Sequence, residues 1–196
     1  YFKDGKKKTE IPIKDGKKHG LAIEYYNNGN KFQEVTYKEG IKEGVARKYF
    51  ETGQLAQETN YLAGLMHGTQ KKYRANGKMS SEAEFYKDEP CIGLKEYLLD
   101  GTLKKKYPQI VITPKDRILE DGTYILNISL TDKVKEVEYY VGELTDGKYI
   151  GSKASKIWTT DRYGKADITF QLLPGQFIME KVNIIAKIKT TLGNYY

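Results

Sequence analysis

Apolar and polar side chains alternate with a period of two in the first half of the chain. Leu21, Ile23 and Tyr25 share one face of an extended segment. After the turn sequence NNGN, Val35 and Tyr37 share a face in the same way. The i, i+3, i+4 apolar spacing of a helix does not recur, and glycine is too frequent for helical repeats. The pattern therefore predicts a β-hairpin.

The same hairpin pattern recurs every twenty-four residues. Tyrosine and, four residues later, glycine occupy fixed places in the copies: Tyr25, Tyr49, Tyr73, Tyr97 and Gly29, Gly53, Gly77, Gly101. Two further glycine columns follow in phase: Gly16, Gly40, Gly64 and Gly20, Gly44, Gly68. Repeats of this length indicate a stacked array. Because one hairpin is marginal in water, we expect the copies to extend one sheet and to stabilise their neighbours.

The segment between hairpins is expected to be a connector. In the sequence KEGIKEG, Gly40 and Gly44 mark places where the backbone bends tightly. The fourth copy departs from this pattern, because Asp88 takes the place of Gly64 and Pro90 enters the connector. Terminal repeats of an array are commonly atypical. We therefore expect the array to end near residue 106.

Composition changes at residues 104–114, where charge density falls and β-branched residues increase. Alternating segments separated by turn sequences predict further strands at 109–113, 123–131, 135–143, 156–160, 165–173 and 181–190. This spacing is typical of a β-sandwich, with Trp158 available for its core. The region resembles immunoglobulin-like modules in architecture alone. The sequence thus predicts an all-β chain, with an elongated β-hairpin repeat array at 1–106 and a β-sandwich domain at 108–196.

The repeat resembles the bacterial variant of the MORN repeat family. The matching motif is Tyr25–Gly29 with Tyr37–Gly40–Gly44, repeated as Tyr49–Gly53 with Tyr61–Gly64–Gly68. The resemblance covers about residues 1–106. It implies an elongated hairpin array that attaches to proteins or membrane lipids, and bacterial members often carry an antitoxin-like label. It implies no catalytic residues.

Charge is unevenly divided between the two halves. The chain has a formal net charge of +7, and residues 1–107 contain 21 Lys and Arg against 15 Asp and Glu. A basic excess attracts anionic partners. Acidic residues are interleaved throughout, however, so we favour a solvated lysine-rich surface that keeps strand edges soluble. Anionic lipid or envelope glycan stays open as a partner class, and nucleic acid is not expected.

The terminus and the cysteine content bear on the compartment. The single cysteine, Cys91, excludes an intramolecular disulfide and a Cys-based metal site. No apolar run approaches the about eighteen residues of a membrane span, and no signal peptide is recognised. The chain opens on Tyr1 partway through a repeat, so we expect residues upstream of it. These features favour an exported protein of the bacterial cell envelope, with a cytoplasmic location as the alternative.

No catalytic, cofactor-binding or metal site is predicted. His19 and His67 occupy the same connector position two repeats apart, too far for a shared metal ion. Glu34, Glu58 and Glu82 form an in-phase column, which we interpret as an exposed strand face with one acid per repeat rather than paired catalytic carboxylates. Motifs for a nucleophilic serine or a phosphate-binding loop are absent from the sequence. We therefore expect a protein that is not an enzyme.

The aromatic columns supply the candidate contact residues. Tyr25, Tyr49 and Tyr73 are expected to pack between repeats. The predicted partner contacts lie one position later, on the opposite strand face: Tyr26, Phe50 and Arg74. The predicted function is a non-enzymatic binding or scaffold protein whose array engages an unidentified protein partner. The alternatives are attachment to anionic membrane lipid or envelope glycan, and antitoxin-like inhibition of a partner protein.

Overall fold

In a computed structural model, which describes residues 1–134, 136–161 and 164–196, the described chain is all-β apart from one short helix. This confirms the predicted fold class. The chain divides into two compact units, Tyr1–Lys104 and Lys105–Tyr196. That the ranges 1–106 and 108–196 fold as separate domains stays a prediction.

The first unit is built from antiparallel strands joined by tight turns. Over residues 1–104, all of which are described, the strands are β1 (Thr9–Glu10), β2 (Ile13–Lys14), β3 (Lys17–Lys18), β4 (Gly20–Tyr25), β5 (Lys31–Lys38), β6 (Ile41–Lys42), β7 (Gly44–Tyr49), β8 (Leu55–Leu62), β9 (Leu65–Tyr73), β10 (Met79–Tyr86), β11 (Glu89–Pro90) and β12 (Lys95–Glu96). The main sheet runs in the order β1-β4-β5-β7-β8-β9-β10-β11, with β6 against β5 and β12 against β10. Successive hairpins therefore continue one sheet.

Each repeat hairpin closes on the glycine that follows the column tyrosine by four residues. The Gly29 N–H donates to the Tyr26 carbonyl at 3.0 Å, and the Tyr26 N–H donates to the Asn30 carbonyl at 2.8 Å. Gly29 has a φ of 90°, a left-handed conformation that glycine adopts without strain. This is a type I turn followed by a bulge. The Gly-to-carbonyl bond of this turn recurs at Gly5, Gly53, Gly77 and Gly101.

The connectors differ from the sequence expectation. They are two-residue hairpin turns that continue the strand ladder, in which Lys38 pairs with Ile41 and Leu62 pairs with Leu65. Both central residues of the first have positive φ, 51° at Glu39 and 84° at Gly40. This type I′ geometry matches the twist of paired strands. The sequence does not reveal it because a strand as short as β6 shows no recognisable alternation.

The second unit contains two facing antiparallel sheets. Its described elements are β13 (Ile110–Arg117), α1 (Ile118–Asp121), β14 (Thr123–Leu130), β15 (Val137–Gly142), β16 (Ala154–Ile157), β17 (Ala166–Gln171) and β18 (Ile184–Ile188). Within the described residues, one sheet runs β13-β14-β17 and the other β16-β15-β18. The first residue of the strand predicted at 135–143, Lys135, lies outside the described residues. The single-turn helix α1 was not predicted from the sequence.

The core of the second unit lies between these two sheets. Ile128 and Ala166 come from one sheet, and Val137, Tyr139 and Ile188 from the other. Tyr139 is fully buried, and its hydroxyl donates to the Gly164 carbonyl at 2.8 Å. The tryptophan expected in this core, by contrast, is 79% exposed at Trp158. The first, second and fifth strands oppose the third, fourth and sixth, as strands A, B and E oppose C, C′ and F in immunoglobulin-like sandwiches.

Candidate interaction surface

One face of the array carries a row of directly opposed residues, all of them charged except Ile23. Strand register places these side chains opposite one another across successive strands: Glu10, Ile23, Glu34, Arg47, Glu58, Lys71, Glu82 and Lys95. From Glu34 onward, acid and base alternate without interruption. Opposed unlike charges stabilise a sheet, whereas like charges would destabilise it. The row therefore fixes the register of the array.

The column tyrosines connect each repeat to the one before it. The hydroxyl of Tyr25 donates to Glu10 at 2.9 Å, that of Tyr49 donates to Glu34 at 2.6 Å, and that of Tyr73 reaches Glu58 at 3.5 Å. Each tyrosine thus contacts the carboxylate fifteen residues upstream. The expected packing between repeats takes the form of a hydrogen bond to an acid.

Each carboxylate of the column also has a cation. Lys7 pairs with Glu10 and Lys31 with Glu34, each pair three residues apart along the chain. Glu58 instead takes Arg47 from β7, and Glu82 takes Lys95 from β12, each on a neighbouring strand. The change follows the sequence, because Leu55 and Met79 replace the lysine of the earlier copies. Each column acid is therefore neutralised by a nearby cation, and Glu10, Glu34 and Glu58 also contact the tyrosine of the next repeat.

The burial of Glu34 shows that the interpretation of the glutamate column as an exposed strand face is wrong at this residue. The Glu34 side chain is 11% exposed, whereas those of Glu58 and Glu82 are each 27% exposed. Burial alone would raise the pKa of the Glu34 carboxyl, but the bonds from Lys31 and Tyr49 hold it below its usual value. Burial and the bond to Glu34 raise the pKa of Tyr49 to about 12. The pair therefore stays in the acid-ionised, phenol-protonated form at neutral pH.

The predicted contact residues Tyr26, Phe50 and Arg74 are half-buried at the glycine turns. The Tyr26 hydroxyl donates to the Tyr49 carbonyl at 2.8 Å, and the Arg74 guanidinium donates to the Met79 carbonyl at 2.9 Å and to the Tyr97 carbonyl. Their polar atoms thus bond within the array, largely to the next repeat. A role in partner contact stays a prediction for these three residues.

The opposite ends of the hairpins form a second edge, made of the connector turns. We call the in-phase segments 14–18, 38–42, 62–66 and 86–90 the tips. The Gly40 N–H donates to the Lys18 carbonyl at 2.8 Å, Gly64 to Lys42 at 3.0 Å, and Asp88 to Met66 at 2.9 Å. One backbone hydrogen bond therefore joins each tip to the next.

Three aliphatic side chains lie exposed on the two central tips. Ile41 is 50% exposed, Leu62 is 51% exposed and Leu65 is 40% exposed. Leu62 and Leu65 are cross-strand partners, and the Cγ2 atom of Ile41 lies 3.2 Å from an ideal Cβ position at Gly64. Ile41 therefore lies against the turn that joins Leu62 to Leu65, and we call these three residues the tip patch. Lys38 stands opposite Ile41 on the same face.

The His and Cys positions do not form a metal centre in the described chain. The Nδ1 atom of His19 lies 3.2 Å from Glu39, in the turn of the next tip. His67, expected in a turn, lies instead in β9, with its ring 5.1 Å from that of Tyr86. Among the described residues, no group of three or more His, Cys, Asp or Glu residues is arranged to hold a metal ion.

Sequence reasoning missed a buried charge at the end of the array. Glu96 is 1% exposed, and its carboxylate accepts a bond from Lys104 at 3.1 Å. It stands opposite Ser81, whose other strand neighbour is Lys72. Burial lowers the pKa of Lys72, and the charge of Glu96 opposes that effect. The sequence around Glu96, IGLKEY, has no clear signal of a buried acid, because Lys95 is its immediate neighbour.

The matches to known families fall inside this array. A family model described as the MORN repeat variant matches residues 18–39, 42–63 and 66–88. These three segments are MORN repeats of the variant type. The turn geometry of the MORN array continues on both sides of the matched segments, at Gly5 and Gly101. No curated protein matches the chain.

The match also gives the general class of function. MORN repeats are generally protein- or membrane-binding motifs, which is consistent with a binding scaffold. No described helix has the length and apolar content needed to cross a membrane.

Proposed function

We propose that this chain is a non-enzymatic binding or scaffold protein whose MORN array engages a protein partner through the tip patch. The observation that carries the proposal is the exposure of Ile41, Leu62 and Leu65 side by side on adjacent tips. Adjacent exposed aliphatic side chains mark interaction sites when polar residues surround them. Lys38 and the turn residue Glu39 supply such a polar border.

The column residues are less suited to that role. Tyr25, Tyr49 and Tyr73 direct their hydroxyls to carboxylates of the array, and Tyr26 and Arg74 bond to backbone carbonyls. A partner that used these atoms would have to break bonds between repeats. The tip patch has no such cost, because its aliphatic atoms leave water only when a partner covers them.

Affinity capture from the native cell, followed by cross-linking, tests this proposal. We expect the double variant Leu62→Ser/Leu65→Ser to lose the captured partner while circular dichroism and thermal unfolding stay close to wild type. Leu21→Ser is the matched control, because Leu21 is 45% exposed on the same array but lies in β4 rather than in a tip. Recovery of the same partner by the double variant would rule out the tip patch as the binding surface.

Attachment to an anionic surface is the second candidate, favoured by the lysines of the first tips. Residues 1–48 contain 12 Lys and Arg against 7 Asp and Glu, whereas residues 49–104 contain 7 against 8. Exposed lysines beside aliphatic side chains suit an anionic lipid headgroup region. Co-sedimentation with phosphatidylglycerol vesicles or with purified envelope glycan should then weaken steeply between 0.05 M and 0.5 M salt, since screening shortens the reach of exposed charges. Binding that does not change with salt concentration would instead favour a packed protein interface.

Two narrower proposals accompany the function. The first is antitoxin-like inhibition, for which the captured partner would have to be a toxin whose activity falls on binding. The second is export to the bacterial cell envelope rather than residence in the cytoplasm. Fractionation of the native cell tests the location, and recovery in the cytosolic fraction alone would exclude export.

A further inference from the structure

The formal charge of the tips falls by one unit at each step along the array. The tip 14–18 (KDGKK) carries +2, 38–42 (KEGIK) carries +1, 62–66 (LAGLM) carries 0 and 86–90 (YKDEP) carries −1. These segments are in-phase copies of the repeat, so the difference in charge between them comes from their side chains alone. The backbone bonds that join the tips do not require such a gradient. Three charged tip side chains also contact the adjacent repeat, because Lys18 and Lys42 lie over the rings of Tyr37 and Tyr61, and Asp88 accepts the Met66 N–H. These contacts involve neither Lys17 nor Glu89.

The gradient is concentrated in one column of equivalent positions. The residues twenty-four apart at the second strand of each tip are Lys17, Ile41, Leu65 and Glu89. All four are exposed. Along this column the surface therefore changes from basic to aliphatic to acidic, and the tip patch occupies its centre.

We propose that the tips form a directional docking surface for an extended protein segment with an acidic end, an aliphatic centre and a basic end. This inference rests on the proposed function and adds the partner's chemistry and orientation. The acidic end lies over the tip 14–18, the aliphatic centre over the tip patch, and the basic end over the tip 86–90. Complementary charge of this kind sets specificity and register more than affinity.

A uniformly anionic bilayer fits this surface less well than a protein segment does. The first tip would attract the headgroups, but Asp88 and Glu89 at the last tip would be repelled by them. Only a partner with charge of both signs can satisfy both ends at once. The charge order therefore favours a protein segment over a lipid surface.

The spacing of the tips sets the length of the segment. Each repeat adds two strands at about 4.8 Å each, so three steps separate the outer tips by about 29 Å. An extended chain rises about 3.3 Å per residue. The acidic and basic ends of the partner are therefore expected to lie about nine residues apart.

The test uses the full chain and two synthetic peptides of identical composition. The block peptide has three Glu, then alternating Leu and Thr, then three Lys, whereas the mixed peptide alternates Glu and Lys at both ends. We expect wild type to bind the block peptide about fivefold more tightly at low salt, since each exposed ion pair contributes little. A photo-cross-linker at the Glu end of the block peptide should react within residues 14–18.

The double variant Lys17→Glu/Glu89→Lys exchanges the charges at the two ends of this column without changing the composition, so that the first tip carries 0 and the last tip carries +1. It should move the cross-link toward residues 86–90 and leave the circular dichroism spectrum unchanged, because both positions are exposed. Equal affinity for the two peptides, no binding of either peptide, or an unmoved cross-link overturns the directional proposal.

Failure of this proposal and failure of the proposed function can be told apart. If the partner captured from the native cell is lost with Leu62→Ser/Leu65→Ser but kept at full affinity by Lys17→Glu/Glu89→Lys, the tip patch binds and the directional proposal is wrong. If the Leu62→Ser/Leu65→Ser variant keeps the partner, the proposed function itself fails.

Discussion

The Tyr49–Glu34 hydrogen bond shows how a polar residue pair can take the place of an apolar core. Glu34 is almost fully buried, yet it accepts bonds from Tyr49 and Lys31 and is opposed across the strands by Arg47. A buried carboxylate is tolerated when its lone pairs are satisfied in this way. The tyrosine column of the sequence therefore marks bonds between repeats as well as packing.

We predict that Tyr49→Phe lowers the free energy of unfolding by about 2 kcal/mol at neutral pH, because a hydrogen bond to an ionised acceptor is lost. The folded-state pKa of Tyr49, about 12, exceeds its ordinary value of 10.0. The stabilisation is therefore fully present below pH 10 and is lost as the pH rises through about 12. Urea unfolding of wild type and variant at several pH values should show the difference shrinking over that window. A stability difference between wild type and variant that stays constant with pH would contradict this prediction.

We predict that Glu96→Gln destabilises the array by about 3 kcal/mol, because it leaves Lys104 and the half-buried Lys72 without their carboxylate. Glu82→Gln is the matched control, since Glu82 also pairs with a lysine but is 27% exposed. Glu82→Gln should lower the free energy of unfolding by less than about 1 kcal/mol. Chemical unfolding measures both, and equal effects would show that burial of Glu96 does not decide the cost.

Among the elements, the type I′ turns carry the strain of the array. Glu39, Ala63 and Lys87 all have φ near 50°, which an L-residue other than Asn, Asp or Gly adopts at a cost. Asp88 occupies the second turn position with a φ of 70° and accepts the Met66 N–H at 2.8 Å. The fourth tip thus keeps its geometry without glycine.

We predict opposite effects for two adjacent substitutions in the third tip. Ala63→Asn should stabilise the array by about 0.5–1 kcal/mol, because Asn tolerates the left-handed conformation. Gly64→Ala should destabilise it by about 1–2 kcal/mol, since Gly64 has a φ of 88° and a Cβ there would lie 3.2 Å from Ile41. Thermal unfolding of both variants checks the signs. Stabilisation by Gly64→Ala would show that this turn is not restrained as described.

For the whole molecule, the two units differ in what stabilises them. The array joins each repeat to its neighbours by turn, tyrosine and tip bonds, so its stability is close to a sum of neighbouring terms. The second unit instead has a sandwich core around Tyr139. Chains with two such units need not unfold in a single step.

We predict that Tyr139→Phe lowers the stability of the second unit by about 1–2 kcal/mol, because the buried Gly164 carbonyl loses its donor. Native-state hydrogen exchange should show faster opening of β14, β15 and β18, with β8 to β10 unchanged. Leu126→Ala is a control that changes the same unit by packing alone. Equal acceleration of both units would contradict the prediction that residues 1–106 and 108–196 are separate domains.

Much of the fold could be predicted because it depends on local signals. The twenty-four-residue period, the turn glycines such as Gly29, and the strands of the second unit all appear in short stretches of sequence. The connector hairpins were not predicted, because β6 has only two residues and the turn sequences Glu39–Gly40 and Ala63–Gly64 lack the Asn-Gly or Asp-Gly signal of a type I′ turn. The tip patch was missed for the same reason, since Ile41 and Leu65 were assigned to connectors rather than to a shared surface.

The sequence by itself determined the all-β class and the turns, because alternation and turn residues are local signals, and it determined the repeat, because the same residues recur at a fixed spacing. Only the tertiary structure decided which side chains meet across strands: the Tyr49–Glu34 bond, the buried Glu96 and the neighbouring Ile41, Leu62 and Leu65. These contacts depend on strand register, because a shift of one residue would move every side chain of a strand to the other face of the sheet. Register is set by pairing between strands, and a contact such as Tyr49–Glu34 joins two copies of the repeat, so the sequence of one copy does not reveal it.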